Sequence, residues 1–325
     1  MNNPPATALA SALWGPLPSA NLQPKDLKPF LSYYRRQLTH PSLNTCLDSL
    51  PSLSQLTALI ATDTPRDTIL ATLQSNHPTS PLESLQDSLD LAARLLVLVP
   101  FGDWDVPADT KTTTLPTWEA LSSLREALTS LFPPSPPPRD DADPALAFDP
   151  TFNAFALHTD AGIAIVFTDN LAEHLRLVTV DARGNKALMV FHHATVLGAA
   201  SALLPAGLAA ETLRTLALLF PRAEFASASR LTRHKKERWL KHVVIDRWED
   251  AAGGGRTVDG GVARCEALGG GGRRVEGFRF WRERLVALKE AYDGSVGLGS
   301  WAGRERAGED WARFAGMAPM TVPGV

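Results

Sequence analysis

The run FPPSPPPRDDADP, residues 132–144, can enter neither a helix interior nor a central strand, because proline fixes φ and offers no backbone donor. Such a composition reads as an extended linker, here at 133–150, so the segments before and after it must each bury their own apolar residues. Within the run, Pro134, Pro137 and Arg139 have the P-x-x-P-x-R spacing of a partner-peptide motif. A polyproline helix puts two prolines and a cation on one side, which SH3-type grooves accept. The spacing is short and common, and a plain linker is the other reading.

Before the linker, helix signals recur. In TPRD, Thr64 can cap and Pro65 can take the first helical position; in SPLE, Ser80 and Glu83 flank Pro81 as a capping box. Leu82, Leu85, Leu89, Ala92, Leu96 and Val99 then recur every three or four residues until Pro100, which is one face of a helix. Pro116 opens a second stripe through Trp118, Leu121, Leu124, Leu128 and Leu131. With shorter helices near 25–38 and 52–61, the expectation is a helical domain over 21–132. Residues 1–20, with prolines on both sides of a short apolar stretch and no basic residue before it, read as a disordered leader and not as a secretory signal.

After the linker the grammar changes. GIAIVFT (162–168) reads as a buried strand, followed by a short helical turn begun by Asp169 or Asn170. LRLVTV and KALMVF flank DARGN, a connection containing Gly184, which predicts a β-hairpin. A winged helix would need two further helices between strand and hairpin, and 168–174 is too short for them. Helices resume from 194, with Pro205 between two of them; Pro205, Glu211 and Arg214 interrupt the most apolar region and exclude a membrane span there. An α+β domain over 151–250 follows, then a disordered glycine-rich loop at 251–275. A helix over 276–293 packs through Trp281, Leu285, Leu288 and Tyr292 and stops at Gly294, and 294–325 is a weakly ordered tail. The fold class is mostly α (α+β): a helical N-terminal region, then a small three-stranded sheet with a hairpin packed by helices.

Charge is uneven. Residues 1–221 carry 13 Lys/Arg against 21 Asp/Glu, whereas 222–325 carry 19 against 14. The excess is densest in SRLTRHKKERWLKHVVIDRW, where Arg230, Arg233, Lys235, Lys236, Arg238 and Lys241 surround Trp239. A helix of this kind suits the phosphates of a nucleic acid or an anionic membrane face. Leu240, Val244 and Trp248 would be its core stripe, leaving the charges as a solvated face or a contact for the acidic N-terminal region.

Other chemistry is not signalled. Two cysteines, Cys46 and Cys265, encode neither a disulfide framework nor a cysteine-spaced zinc site, and fit a reducing, cytoplasmic setting. His158, His174, His192 and His193 lie near Asp160, Asp169 and Glu173 without metal-ligand spacing; on a strand, His192 and His193 would point oppositely, one inward and one to solvent. The glycine runs match no P-loop or dinucleotide fingerprint, and HExxH and GxSxG are absent. Asp103 and Asp105 beside Trp104 read as loop solvation. No catalytic residue, metal ligand or cofactor is predicted.

Two stretches carry a resemblance. FTDNLAEHLRL with VFHHATVL after it, and FWRERLVALKEAYD (280–293), resemble a group of uncharacterised filamentous-fungal proteins, with Trp301, Arg304, Arg306, Trp311 and Phe314 adding a weaker match. The resemblance covers about half of the chain and implies no activity. It implies a C-terminal transmembrane helix, which AGMAPMTVPGV is too short to form; membrane association would require an anchor lost from the gene model. The function expected is that of a non-enzymatic helical interaction protein with a protein partner. The alternatives are a binder of nucleic acid or anionic membrane through 230–242, and a hydrolase or metalloenzyme of unfamiliar arrangement.

Overall fold

The computed structural model describes residues 4–15, 24–102, 118–136, 147–181, 184–200, 202–221, 230–246, 249, 257–265, 268 and 270–297. Two compact units divide the chain: Met1–Pro133 with Asp169–Ala172 and Thr195–Ala209, and Pro134–Thr168 with Glu173–Ala194 and Ala210–Val325. Both are mostly helical, and the second holds a small three-stranded sheet. Among the described residues no helix is long and apolar enough to cross a membrane.

The first unit contains α1 (Ala6–Trp14), α2 (Lys28–Leu38), α3 (Leu50–Ala61), α4 (Arg66–Asn76), α5 (Leu82–Val97) and α6 (Leu124–Leu131). Of the predicted row, Leu85, Leu89, Ala92, Leu96 and Val99 are buried, but Leu82 at its start is 58% exposed; Leu91, Ala93 and Leu95 of α5 are buried as well. A helix covered almost all round is a central one, and α1, α3 and α4 pack against it. The expected leader is therefore corrected: its apolar stretch is helix α1, with Leu9, Ala10 and Leu13 buried and Trp14 Nε1 donating to the Leu96 carbonyl at 3.0 Å. The apolar face of α3 gives that stretch something to cover.

Three helix starts differ from expectation. At α4, Pro65 is the N-cap residue and not the first helical one, and Thr64 does not cap. Ser80 and Glu83 do not box the start of α5, where Pro81 is the N-cap residue and no side chain caps. The reciprocal box forms at α6 instead: Ser123 Oγ accepts from the Glu126 amide and Glu126 returns a carboxylate to the Ser123 amide at 2.8 Å. The helix expected from Pro116 begins only at Leu124; ahead of it Trp118 is buried, whereas Leu121 is 85% exposed. Leu121→Ser should therefore shift stability by no more than about 0.5 kcal/mol in denaturant unfolding, the ordinary effect of an exposed position.

Arg94 is fully buried in α5 and donates to the Phe101 carbonyl, the Gly102 carbonyl and Gln37 Oε1. It satisfies acceptors just past the helix end, where Leu98 turns the chain at φ 56°.

In the second unit β1 (Ala164–Thr168), β2 (Leu177–Thr179) and β3 (Lys186–Phe191) form a sheet in the order β1-β3-β2. The predicted hairpin pairs β2 and β3 antiparallel, with Val178 opposite Ala187, and Gly184 takes the positive φ of 82° that its turn demands. β1 pairs parallel with β3 from Ala164–Ala187 to Thr168–Phe191. Inward residues Ile165 and Phe167 alternate along β1. The second unit also contains α7 (Ala154–Thr159), most of α9 (Leu208–Leu219), α10 (Arg230–Arg238) and α11 (Arg282–Gly297), while α8 (Ala194–Ala200) falls almost wholly within the first unit.

Three expectations about this unit change. The glycine-rich stretch holds 3-10 turns at Gly260–Arg264 and Gly270–Arg273, with Val262 and Arg273 buried. Arg273 Nη2 reaches the carbonyls of Asp149, Pro150 and Phe152, and Asp259 caps the first turn through the Gly261 amide. These side-chain bonds order a backbone that glycine composition alone would not. Part of the linker is tied down as well: the Ser135 amide donates to the Arg279 carbonyl at 2.7 Å, and the Phe148 amide to Arg273 at 2.9 Å. Finally, α11 runs through Gly294 to Gly297. Trp281, Leu285 and Leu288 are buried as predicted, and Tyr292 meets Phe152 edge-on at 5.2 Å. The tail residues Trp301, Arg304, Arg306, Trp311 and Phe314 lie outside the described residues.

Candidate anion-binding helix

The basic segment contains neither glycine nor proline from Arg230 to Asp246, and its Arg, Lys, Glu and Leu residues are good helix formers. It folds as α10, which passes directly into a π-helical stretch, Trp239–Ile245, closed by the Asp246 amide on the Lys241 carbonyl. The wider turn has a packing cause. Trp239 is 6% exposed, meeting Phe155 edge-on at 5.4 Å and the His158 ring at 5.6 Å, and Val244 is 2% exposed. In an α-helix, residues five apart point about 140° away from each other; an i→i+5 turn brings both onto nearly one face.

The predicted stripe is thereby corrected. Trp239, not Leu240, is the buried anchor beside Val244, and Leu240 is half-buried. Trp248 lies outside the described residues.

Of the predicted cations, Arg233, Lys235, Arg238 and Lys241 are exposed. Lys236 is half-buried, its ammonium 5.9 Å from the Phe155 ring centroid, close enough for a weak cation–π contact. Arg230 opens the helix. Glu237 stands 3.8 Å from Arg233, and both side chains are about half exposed, so the pair contributes little and leaves the surface strongly cationic. One turn further, His242 Nδ1 lies 2.7 Å from Asp246. Of the partner-peptide motif, Pro134 is exposed, whereas Pro137 and Arg139 are outside the described residues, as are Asp103 and Asp105.

The histidines do not form the expected pattern. His192 and His193 are both buried, their rings 4.0 Å apart, because β3 ends at Phe191 and strand alternation no longer applies. His158 sits at Trp239. His174 belongs to a separate network: its Nδ1 accepts the Phe191 amide at 3.1 Å and its Nε2 lies 2.6 Å from Thr215 Oγ1. Thr215 already donates to the Thr212 carbonyl, so the ring must donate from Nε2 and is neutral. Burial first, and then the Arg284 guanidinium, push its pKa down to about 3.

Sequence reasoning missed the anchor of this network. Glu211 on α9 is buried, and its carboxylate accepts the amides of Arg279, Phe280 and Trp281 at 2.7–2.8 Å. These are the orphan donors ahead of α11, where negative charge is favoured. Trp281 Nε1 also donates to Thr212 Oγ1 at 3.0 Å. The only local signal was an acid in the first turn of a mostly apolar helix.

Burial holds the Cys265 thiol up at about 11, far from the reactive range. Comparison with protein-family models, curated proteins and solved structures finds no match to this chain.

Proposed function

We propose that this chain is a non-enzymatic interaction protein whose contact surface is the cationic helix Arg230–Lys241, and whose partner presents a matching array of anions. The observation that carries the reading is the exposure of Arg233, Lys235, Arg238 and Lys241 on a helix that docks on its own unit through Trp239 and Val244. A helix carrying its charge merely for solubility would mix acids among the bases; here Glu237 is the only acid from Arg230 to Lys241. Two buried polar groups of the second unit, Glu211 and His174, are engaged in holding the fold. A reducing, intracellular setting suits the two free thiols. The resemblance to filamentous-fungal proteins belongs with this proposal.

Retention on heparin at low ionic strength tests it. Lys235→Glu with Arg238→Glu, both exposed on α10, should move elution to at least about threefold lower salt, since screening and counterion release govern such contacts. Flow-through of the parent protein, or unchanged elution of a double variant with an unaltered melting temperature, would overturn the reading.

A further inference from the structure

We propose that the anionic partner is B-form duplex DNA, and that α10 enters its major groove with phosphates on both walls. This rests on the cationic-surface reading above and adds the shape of the partner.

The argument begins with azimuth. At about 100° per residue, Arg233 and Lys235 point about 160° apart, and Arg238 lies between Lys235 and the free side of the helix. All three are exposed. A flat anionic face can touch only one side of such a helix. Full use of its charges requires a concave partner with anions left and right. The major groove, about 12 Å wide and 8.5 Å deep between two phosphate rows, admits a helix about 10–12 Å across.

Apolar placement argues the same way. A membrane-surface helix dips an apolar face between lipid headgroups, but the large apolar residues Trp239 and Val244 face this protein's own interior. Among the described residues of α10, Leu231, at its start and 86% exposed, is the one large apolar side chain facing solvent. It sits at the end of the helix farthest from the Trp239 anchor, where recognition helices meet base edges and where an apolar side chain can touch a thymine methyl.

Single strands are a poorer match. Their binding relies on exposed aromatic platforms, whereas Trp239 is buried and Phe155, half-buried, lies beneath the Lys236 ammonium. The major groove of A-form RNA is too deep and narrow to receive side chains.

The test is the salt dependence of binding to a mixed-sequence DNA duplex of about 20 base pairs, by fluorescence anisotropy. With Arg233, Lys235, Arg238 and Lys241 as phosphate contacts, log K should fall against log salt with a slope of about −3 to −4, near 100-fold between 50 and 200 mM. Lys235→Ala with Arg238→Ala should flatten the slope by about 2. Duplex RNA, single-stranded DNA, polyglutamate and vesicles containing phosphatidylserine should each bind at least about tenfold more weakly at the same salt. Equal or tighter binding to polyglutamate or to vesicles, or a slope that the double variant leaves unchanged, would overturn the duplex assignment while heparin retention kept the cationic surface. Loss of heparin retention in the parent protein would remove both.

Discussion

Glu211→Ala should destabilise the second unit by about 3–5 kcal/mol, because three amides lose their acceptor at about 1–3 kcal/mol each, less where water can reach them. The carboxylate accepts three consecutive amides, those of Arg279, Phe280 and Trp281, at the entrance to α11. Without it the buried Trp281 amide and the part-buried amides of Arg279 and Phe280 lose their acceptor. Glu211→Gln keeps one acceptor oxygen and replaces the other with a donor that faces an N–H, so it should lose about half as much. Urea unfolding followed by Trp281 fluorescence, read against a Trp281→Phe control, measures the difference. A loss below about 1 kcal/mol for the alanine variant would show that Trp281 and Leu285 hold α11 without the carboxylate.

The second large effect is acid sensitivity centred on His174. In the folded chain its imidazole stays neutral down to about pH 3, against an ordinary value of 6.5. Between those values the unfolded chain binds a proton that the folded one refuses. The stability present above pH 6.5 is therefore lost as pH falls through that window, at about 1.4 kcal/mol per pH unit, and reaches about 4 kcal/mol at the lower end. A proton on Nδ1 would confront the Phe191 amide donor-to-donor, with the Arg284 guanidinium adding repulsion. His174→Gln can still donate to Thr215 and carries no titrating group. The difference between parent and variant stability, measured from pH 7 to pH 4, should shrink on acidification as the parent weakens. A constant difference across that range would mean that the ring is protonated in the native state.

The sheet was legible because each of its signals is local. Short runs of branched and aromatic residues mark β1 and β3, and Gly184 supplies a turn that few other residues make so cheaply. The buried row Trp281, Leu285 and Leu288 was legible for the same reason. The start of α6 was readable too, since Ser123 and Glu126 are spaced as a capping box, but the earlier Pro116 and the apolar Leu121 drew the boundary upstream.

The cationic helix could be located from charge alone. Its orientation could not, because a period of 3.6 puts Leu240 and Val244 on one face and Trp239 off it. The π turn reverses that assignment, and no residue in the segment announces it. The Glu211 cluster was out of reach for another reason. Its bonds join residues 68 to 70 apart in the chain, and nothing in either stretch names the other.

Strand order has a consequence for synthesis. The middle strand, Lys186–Phe191, is the last of the three to be translated. As the nascent chain leaves the ribosome, β1 and β2 emerge with no neighbour to pair with, and both wait for the same six residues. Sheet assembly is therefore post-poned to a single late event, and an interval of translation passes in which short, apolar edges stand open to chaperones or to other nascent chains.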